Sequence, residues 1–180
     1  FCLPPGELLI GYPVAGAGNR TDAGHRAWNF VWYRPAPAPE RLHQLLTDAD
    51  GHLHALGIAP NKVSWRHIAD MRADARRLLA PAFAEIIEKT AQPFLQPIYD
   101  VFSDDIVQGR VALLGDAAFV ARPHVGMGVT KAMQDAVALS DALATHGVTP
   151  KALAAYAAQR LGPGQQVVQR ARRLGTYMQS

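Results

Sequence analysis

The chain of 180 residues is long enough for one or two domains with hydrophobic cores, and its 49% hydrophobic and 18% charged residues are typical of a folded protein rather than a disordered one. A formal net charge of +3 is too small to indicate nucleic-acid binding, and no apolar run is long enough to span a bilayer. The single cysteine, Cys2, excludes an internal disulfide and favours a reducing cytoplasm.

The first hundred residues predict β structure followed by helices. The predicted elements are strands over 7–14 and 26–34 and helices over about 39–47, 65–79 and 82–90. Ser64 has the chemistry of an N-cap, and Pro81 suits the first turn of a helix. We therefore expect a mainly antiparallel sheet with helices packed against it.

The remainder of the chain predicts short strands followed by three helices. The predicted elements are strands at 98–103 and 110–115 and helices at about 128–145, 151–161 and 164–178. The last two helices are separated in this prediction by Gly162-Pro163, because proline disrupts a helix interior. Strands and helices together indicate a mixed α+β and α/β fold class.

The stretch of residues 111–143 has the chemistry of a ligand site. Its apolar run ends in Gly115-Asp116, and a carboxylate at the carboxyl end of a strand can accept hydrogen bonds from ligand hydroxyls. Gly126 and Gly128 allow the backbone to approach a flat or anionic ligand, and the free amides that begin the next helix attract negative charge. The same residues also fit a structural turn in which Asp116 caps the helix. The residues alone leave both interpretations open.

The segment "LLGDAAFVARPHVGMGVTKAMQDAVALSDAL" resembles the second flavin motif of the FAD-dependent aromatic hydroxylases, the group-A flavoprotein monooxygenases similar to para-hydroxybenzoate hydroxylase. In that family a Gly-Asp at a strand end is followed by a proline, a loop of small residues and a helix. The segments "LPPGE", "GYPVAG", "NFVWYRP" and "QPIYD" resemble the substrate domain of the hydroxypyridine-hydroxylating members. The resemblance therefore extends over most of the chain.

This resemblance implies a role for each residue of the motif. Asp116 would hold the ribityl hydroxyls of FAD, and Pro123 would lie beside the isoalloxazine ring. Gly128, Val129 and Thr130 would present backbone amides to the N1 and C2-carbonyl edge of the flavin. Amides fixed at a helix N-terminus stabilise the negative charge that this edge carries in reduced flavin.

The chain departs from the family pattern in one motif, the glycine-rich turn that would bind the rest of FAD. The Gly-x-Gly-x-x-Gly turn that follows the family's N-terminal strand is absent from these 180 residues. The resemblance therefore predicts a partial substrate-binding domain over 1–101 and, over 102–180, the C-terminal strand and helices of a Rossmann-like FAD-binding domain. An additional N-terminal FAD-binding segment is the expected partner, so the chain alone is expected to bind FAD weakly, if at all, and to be inactive. A homodimer is a candidate assembly.

Several further side chains are candidates for the reaction itself. His124 could take the proton of a substrate hydroxyl, or it could be an ordinary loop histidine. Tyr12, Phe30 and Trp32 could line an aromatic substrate cavity, although core packing is the more ordinary role for any one of them. Lys131 could interact with an anion, but we expect it to be solvated. We expect no metal site, because neither carboxylates nor cysteine complete a ligand spacing around the histidines.

The resemblance implies a monooxygenase that uses FAD, O2 and NADH or NADPH to hydroxylate an electron-rich hydroxylated aromatic or pyridine ring. A different class remains open, in which the chain is a non-catalytic flavoprotein half that acts as a binding or assembly module. A serine hydrolase is excluded, because no Gly-x-Ser-x-Gly motif occurs.

Overall fold

The protein consists of two compact units in a computed structural model that describes residues 1–37 and 39–178. The first unit is built from Phe1–Pro97 and the second from Ile98–Tyr177. This division lies close to the predicted boundary after residue 101, whereas the assignment of the two units to substrate and flavin domains stays a prediction. Gln179 and Ser180, which end the predicted second domain, lie outside the described residues.

The first unit combines a β-hairpin with helices. Its elements are β1 (Leu8–Val14), β2 (Ala27–Tyr33), α1 (Glu40–Leu45), α2 (Trp65–Leu78) and α3 (Pro81–Lys89), with short 3-10 turns at Ala17–Asn19 and Pro60–Lys62. The two strands are antiparallel and in register from Leu8 opposite Tyr33 to Val14 opposite Ala27. Ser64 caps α2, because its hydroxyl accepts a hydrogen bond from the Arg66 amide at 3.4 Å. The predicted strands, helices and cap of this region are confirmed.

One face of the hairpin packs against α2 and α3. Leu9 of β1 is completely buried together with Ala75 of α2 and Ile87 of α3. Phe30 and Trp32 of β2 pack against the same cluster. The expected arrangement of an antiparallel sheet covered by helices is therefore confirmed for this unit.

The second unit contains short strand pairs and two long helices. Its elements are β3 (Val101–Phe102), β4 (Val107–Gln108), β5 (Val111–Ala112), β6 (Phe119–Val120), α4 (Gly128–His146) and α5 (Pro150–Met178), with 3-10 turns at Gly115–Ala117 and Pro123–Val125. Strand β3 pairs antiparallel with β6, and β4 pairs antiparallel with β5. The core between strands and helices includes Ile106, Phe119, Ala138, Tyr156 and Val168. Within the described ranges, no helix combines the length and the apolar character needed to cross a membrane.

The predicted strand at 110–115 is wrong in its length. Ladder pairing ends after Ala112, although the Leu113 amide still donates to the Ile106 carbonyl at 2.8 Å. Gly115 then adopts a φ of +60°, which ends the extended conformation. Side chains of the helices satisfy the backbone groups beyond this point, beginning with the Tyr156 hydroxyl, which donates to the Leu113 carbonyl at 2.7 Å.

The predicted break at Gly162-Pro163 is also wrong, because α5 is continuous from Pro150 to Met178. A proline inside a helix removes one backbone hydrogen bond, but residues on both sides of Pro163 are anchored in the same core. Gly164 lies directly against the Phe119 ring, and a Cβ at this position would overlap the ring. Tertiary packing therefore outweighs the local tendency to break the helix.

This close contact predicts that Gly164→Ala destabilises the second unit by about 1–3 kcal/mol, because overpacking displaces the Phe119 ring. Gly162→Ala is the matched control, since an added Cβ there meets no non-neighbouring atom within 4 Å. Urea unfolding followed by circular dichroism measures both changes in free energy. Equal stability of the two variants would show that Phe119 does not require a glycine at this position.

Candidate functional site

The Gly115-Asp116 turn lies against the first turns of α4. Gly115 is buried, and a Cβ on it would come within 3.4 Å of the Ala132 methyl. Its amide donates to the Asp135 carboxylate at 2.9 Å, and its carbonyl accepts a hydrogen bond from the Lys131 ammonium at 2.7 Å. Both backbone groups of Gly115 are thus held by side chains of α4.

Lys131 and Asp135 belong to a buried charge cluster that also includes Arg160 of α5. The Lys131 and Asp135 side chains are 1% and 2% exposed, and their Nζ and Oδ2 atoms are 3.6 Å apart. Arg160 Nε donates to the other Asp135 oxygen at 2.7 Å. The expectation of a solvated Lys131 is wrong, because the Gly115 carbonyl and the Asp135 carboxylate provide the polar partners that make its burial possible.

Asp116 itself is exposed on the Gly115–Ala117 turn. Its side chain makes no hydrogen bond or ion pair with any other residue of 1–37 or 39–178. Met127 is the N-cap of α4, and no side chain caps this helix by a hydrogen bond. The interpretation of Asp116 as a helix cap is therefore wrong, and its carboxylate oxygens are open to a ligand.

The first turn of α4 is exposed as well. Gly128, Val129 and Thr130 are all accessible to solvent. A Cβ added to Gly128 would meet no non-neighbouring atom within 4 Å. The first amide of the helix with an intrahelical bond is that of Lys131, which donates to the Met127 carbonyl at 2.8 Å. The three preceding amides and the positive end of the helix dipole can thus face a negatively polarised group.

The loop before α4 is fixed against α5. Arg122 and Arg172 each donate through Nε to the same Asp100 carboxylate oxygen, at 3.1 and 3.0 Å. Gly175 of α5 lies so close to the loop that an added Cβ would be 3.3 Å from His124 Nδ1. Pro123, between these residues, is exposed, as its predicted position beside a ring requires.

The environment of His124 lowers its pKa. Burial is the main cause, the Arg122 guanidinium adds to it by repelling a second positive charge, and Asp100 partly opposes both. A histidine with a lowered pKa is predominantly neutral at pH 7, and a neutral imidazole can accept a proton. The half-buried side chain is therefore chemically suited to the role predicted for it, which stays a prediction.

The three aromatic residues predicted for a substrate cavity do not lie together. Successive side chains of a strand point to opposite faces, and Phe30 and Trp32 lie on the face that packs against α2 and α3. Trp32 Nε1 also donates to the Glu7 carboxylate at 2.8 Å. Tyr12 pairs with Asn29 on the opposite face and is 46% exposed. Of the three, Tyr12 alone keeps an open ring for a ligand.

Sequence comparison relates both units to flavin-binding proteins. Residues 59–171 match the FAD binding domain family, and residues 1–100 match the FAD binding domain-like family. The first of these matches covers more than half of the chain. The chain belongs to the FAD-binding domain family. The family predicted from the Gly-Asp motif and the loop that follows it is therefore confirmed.

Relatives of this family member are monooxygenases. The chain is 27% identical to 2,6-dihydroxypyridine 3-monooxygenase of Paenarthrobacter nicotinovorans over 95% of its own length and 42% of the relative. It is 39% identical to 3-amino-4-hydroxybenzoate 2-monooxygenase of Streptomyces cremeus over 97% of its own length and 36% of the relative. The chain thus spans about two fifths of the length of the relatives that it matches.

Solved structures show the same relationship. The structure of 2,6-dihydroxypyridine-3-hydroxylase from Arthrobacter nicotinovorans superposes with a TM-score of 0.84 and 26% identity, over 95% of this chain and 42% of that one. Klebsiella pneumoniae HpxO in complex with FAD and uric acid superposes with a TM-score of 0.69 and 25% identity, over 99% of this chain and 39% of that one. The mixed fold with antiparallel sheets and several helices is thereby confirmed.

The contacts of the loop predict that Arg122→Gln raises the pKa of His124, because a positive charge that disfavours the imidazolium is lost. Arg173→Gln is the matched control, since Arg173 is an exposed arginine of the same unit. An NMR pH titration of the His124 ring measures both values. An unchanged midpoint in Arg122→Gln would show that the guanidinium does not set the proton affinity of this histidine.

Proposed function

We propose that this chain supplies the substrate-binding domain and the C-terminal part of the FAD-binding domain of an FAD-dependent monooxygenase. The proposed reaction hydroxylates an electron-rich hydroxylated aromatic or pyridine ring with O2 and with NADH or NADPH as reductant. One observation carries the proposal: an unpartnered carboxylate, Asp116, stands on a turn that is clamped to the open first turn of α4. Family membership and the named activities of the relatives support it.

The residues of this site fit one half of FAD. The Asp116 carboxylate has only acceptor oxygens, which suits the hydroxyls of a ribityl chain. The amides of Gly128, Val129 and Thr130 would face the N1 and C2-carbonyl edge of the flavin, and Pro123 would border its ring. When bound, FAD supplies the redox chemistry that activates oxygen. The protein contributes orientation and a field that favours negative charge at the flavin edge.

His124 is the residue that we propose for proton transfer. Removing the proton of a substrate hydroxyl raises the electron density of the ring, and the lowered pKa of His124 keeps the imidazole available as the acceptor. Tyr12 is the proposed contact for an aromatic substrate in the first unit, because its ring is exposed on the hairpin face that the helices do not cover.

An additional FAD-binding segment is the partner that we propose for the second unit. Val129, Met133 and Val137 follow one another along α4 at intervals of four residues and are 81%, 62% and 55% exposed. Such an apolar stripe is typical of a surface that another segment covers. The relatives are more than twice as long as the parts that match this chain, so their length leaves room for such a segment.

We further propose that the protein works in the cytoplasm. Cys2 is a free cysteine, and a thiol that lacks a disulfide partner suits a reducing compartment. The proposed reductant, NADH or NADPH, would be drawn from the same compartment.

The proposal predicts that Asp116→Ala weakens FAD binding about ten- to a hundredfold, because a hydrogen bond to a charged group contributes about 1.5–3 kcal/mol. Titration of FAD into the chain, followed by flavin fluorescence, measures the dissociation constant. Asp104→Ala removes an exposed carboxylate from a loop of the same unit and serves as the matched control. Melting curves without FAD should be alike for both variants, because Asp116 makes no structural hydrogen bond. Wild-type FAD affinity in Asp116→Ala would contradict the flavin assignment.

A further inference from the structure

Two side chains of α4 hold the peptide planes on either side of Gly115. The Asp135 carboxylate accepts from the Gly115 amide, which belongs to the peptide unit shared with Leu114. The Lys131 ammonium donates to the Gly115 carbonyl, which belongs to the peptide unit shared with Asp116. Gly115 itself has a φ of +60° and no Cβ, so steric repulsion within this residue hardly restricts the orientation of the two peptide planes. The conformation of the turn is therefore set by α4.

A lysine is a costly residue for this position unless its charge is needed. Removing an ammonium group from water is unfavourable, and buried ion clusters can often be replaced by apolar residues without loss of stability. Lys131 is 1% exposed, and its nitrogen lies 5.9 Å from the centroid of the Phe119 ring. An apolar side chain of similar length would fill the same space, but it could not donate to the Gly115 carbonyl.

We propose that Lys131, supported by Asp135 and Arg160, is a positioning residue that aims the Asp116 carboxylate. Its bond to the Gly115 carbonyl fixes the peptide unit that leads into Asp116, while Asp135, which is itself held by Arg160, keeps the ammonium in place. The consequence for FAD rests on the proposed function, since it assumes that Asp116 binds the ribityl hydroxyls. The effect on the turn itself does not depend on the identity of the ligand.

The test compares Lys131→Met, which keeps an unbranched side chain and removes the donor, with Lys151→Met, which replaces an exposed lysine of α5. In the FAD-free chain, Lys131→Met should raise amide hydrogen exchange about tenfold at Gly115 and Ala118, whose amides donate to the Asp135 carboxylate and to the Gly115 carbonyl, and leave exchange at Val168 unchanged, because opening is local. Lys131→Gln, which retains an N–H donor, should restore part of the protection. If Lys131→Met does not fold, Lys131→Gln replaces it in this measurement, and we expect a smaller rise in amide exchange at the same residues.

FAD titrations then show whether Lys131 acts through Asp116. Lys131→Met alone should weaken FAD binding about tenfold, yet cause little further loss when added to Asp116→Ala, because residues that act together are not additive. Additive losses would overturn the proposal, as would unchanged exchange at Gly115 and Ala118 or exchange that rises evenly through the unit. If Asp116→Ala binds FAD as tightly as the wild type while exchange at Gly115 and Ala118 rises locally in Lys131→Met, the proposed function fails and the positioning role stands.

Discussion

The structure of the second unit depends on the polar partners that surround one buried ammonium group, that of Lys131. The Lys131 side chain is 1% exposed, and the Gly115 carbonyl and the Asp135 carboxylate give its ammonium group the polar partners that it needs. Arg160 joins the same cluster from α5, so that the two long helices and the Gly115-Asp116 turn share one set of hydrogen bonds. A change at any member leaves a charge or a backbone group buried without its partner, which costs more than the loss of an exposed ion pair.

In this arrangement the residues that hold the turn in place differ from the residues that would bind a ligand. The buried residues hold the turn, whereas Asp116 and the first residues of α4 remain exposed. A site whose binding groups are positioned by other side chains can interact with a ligand without first breaking internal bonds, which favours affinity. On the other side of the loop, Asp100 binds both Arg122 and Arg172, and Pro123 is exposed.

Local patterns predicted the two strands of the hairpin, the cap at Ser64 and α2 to α4, and the resemblance gave the flavin motif, because each depends on residues close together in sequence. The errors concern long-range contacts. Pro163 suggested a break, but the packing of Gly164 on Phe119 keeps α5 intact. Lys131 and Asp135 are spaced as an i, i+4 pair, which is visible in the sequence, yet the pattern could not show that this pair faces inward toward Gly115. The strand register, once known, also separates Tyr12 from Phe30 and Trp32.

We propose that the Gly115-Asp116 turn and the first turn of α4 together bind the flavin half of FAD. NMR amide shifts, recorded while FAD is added to the ¹⁵N-labelled chain, detect weak binding as well as tight binding. We expect the largest shifts at residues 115–116 and 128–130, with smaller shifts in the loop at 122–126. Shifts that are confined to the first unit, or that leave residues 115–116 and 128–130 unchanged while other residues shift, would contradict this proposal.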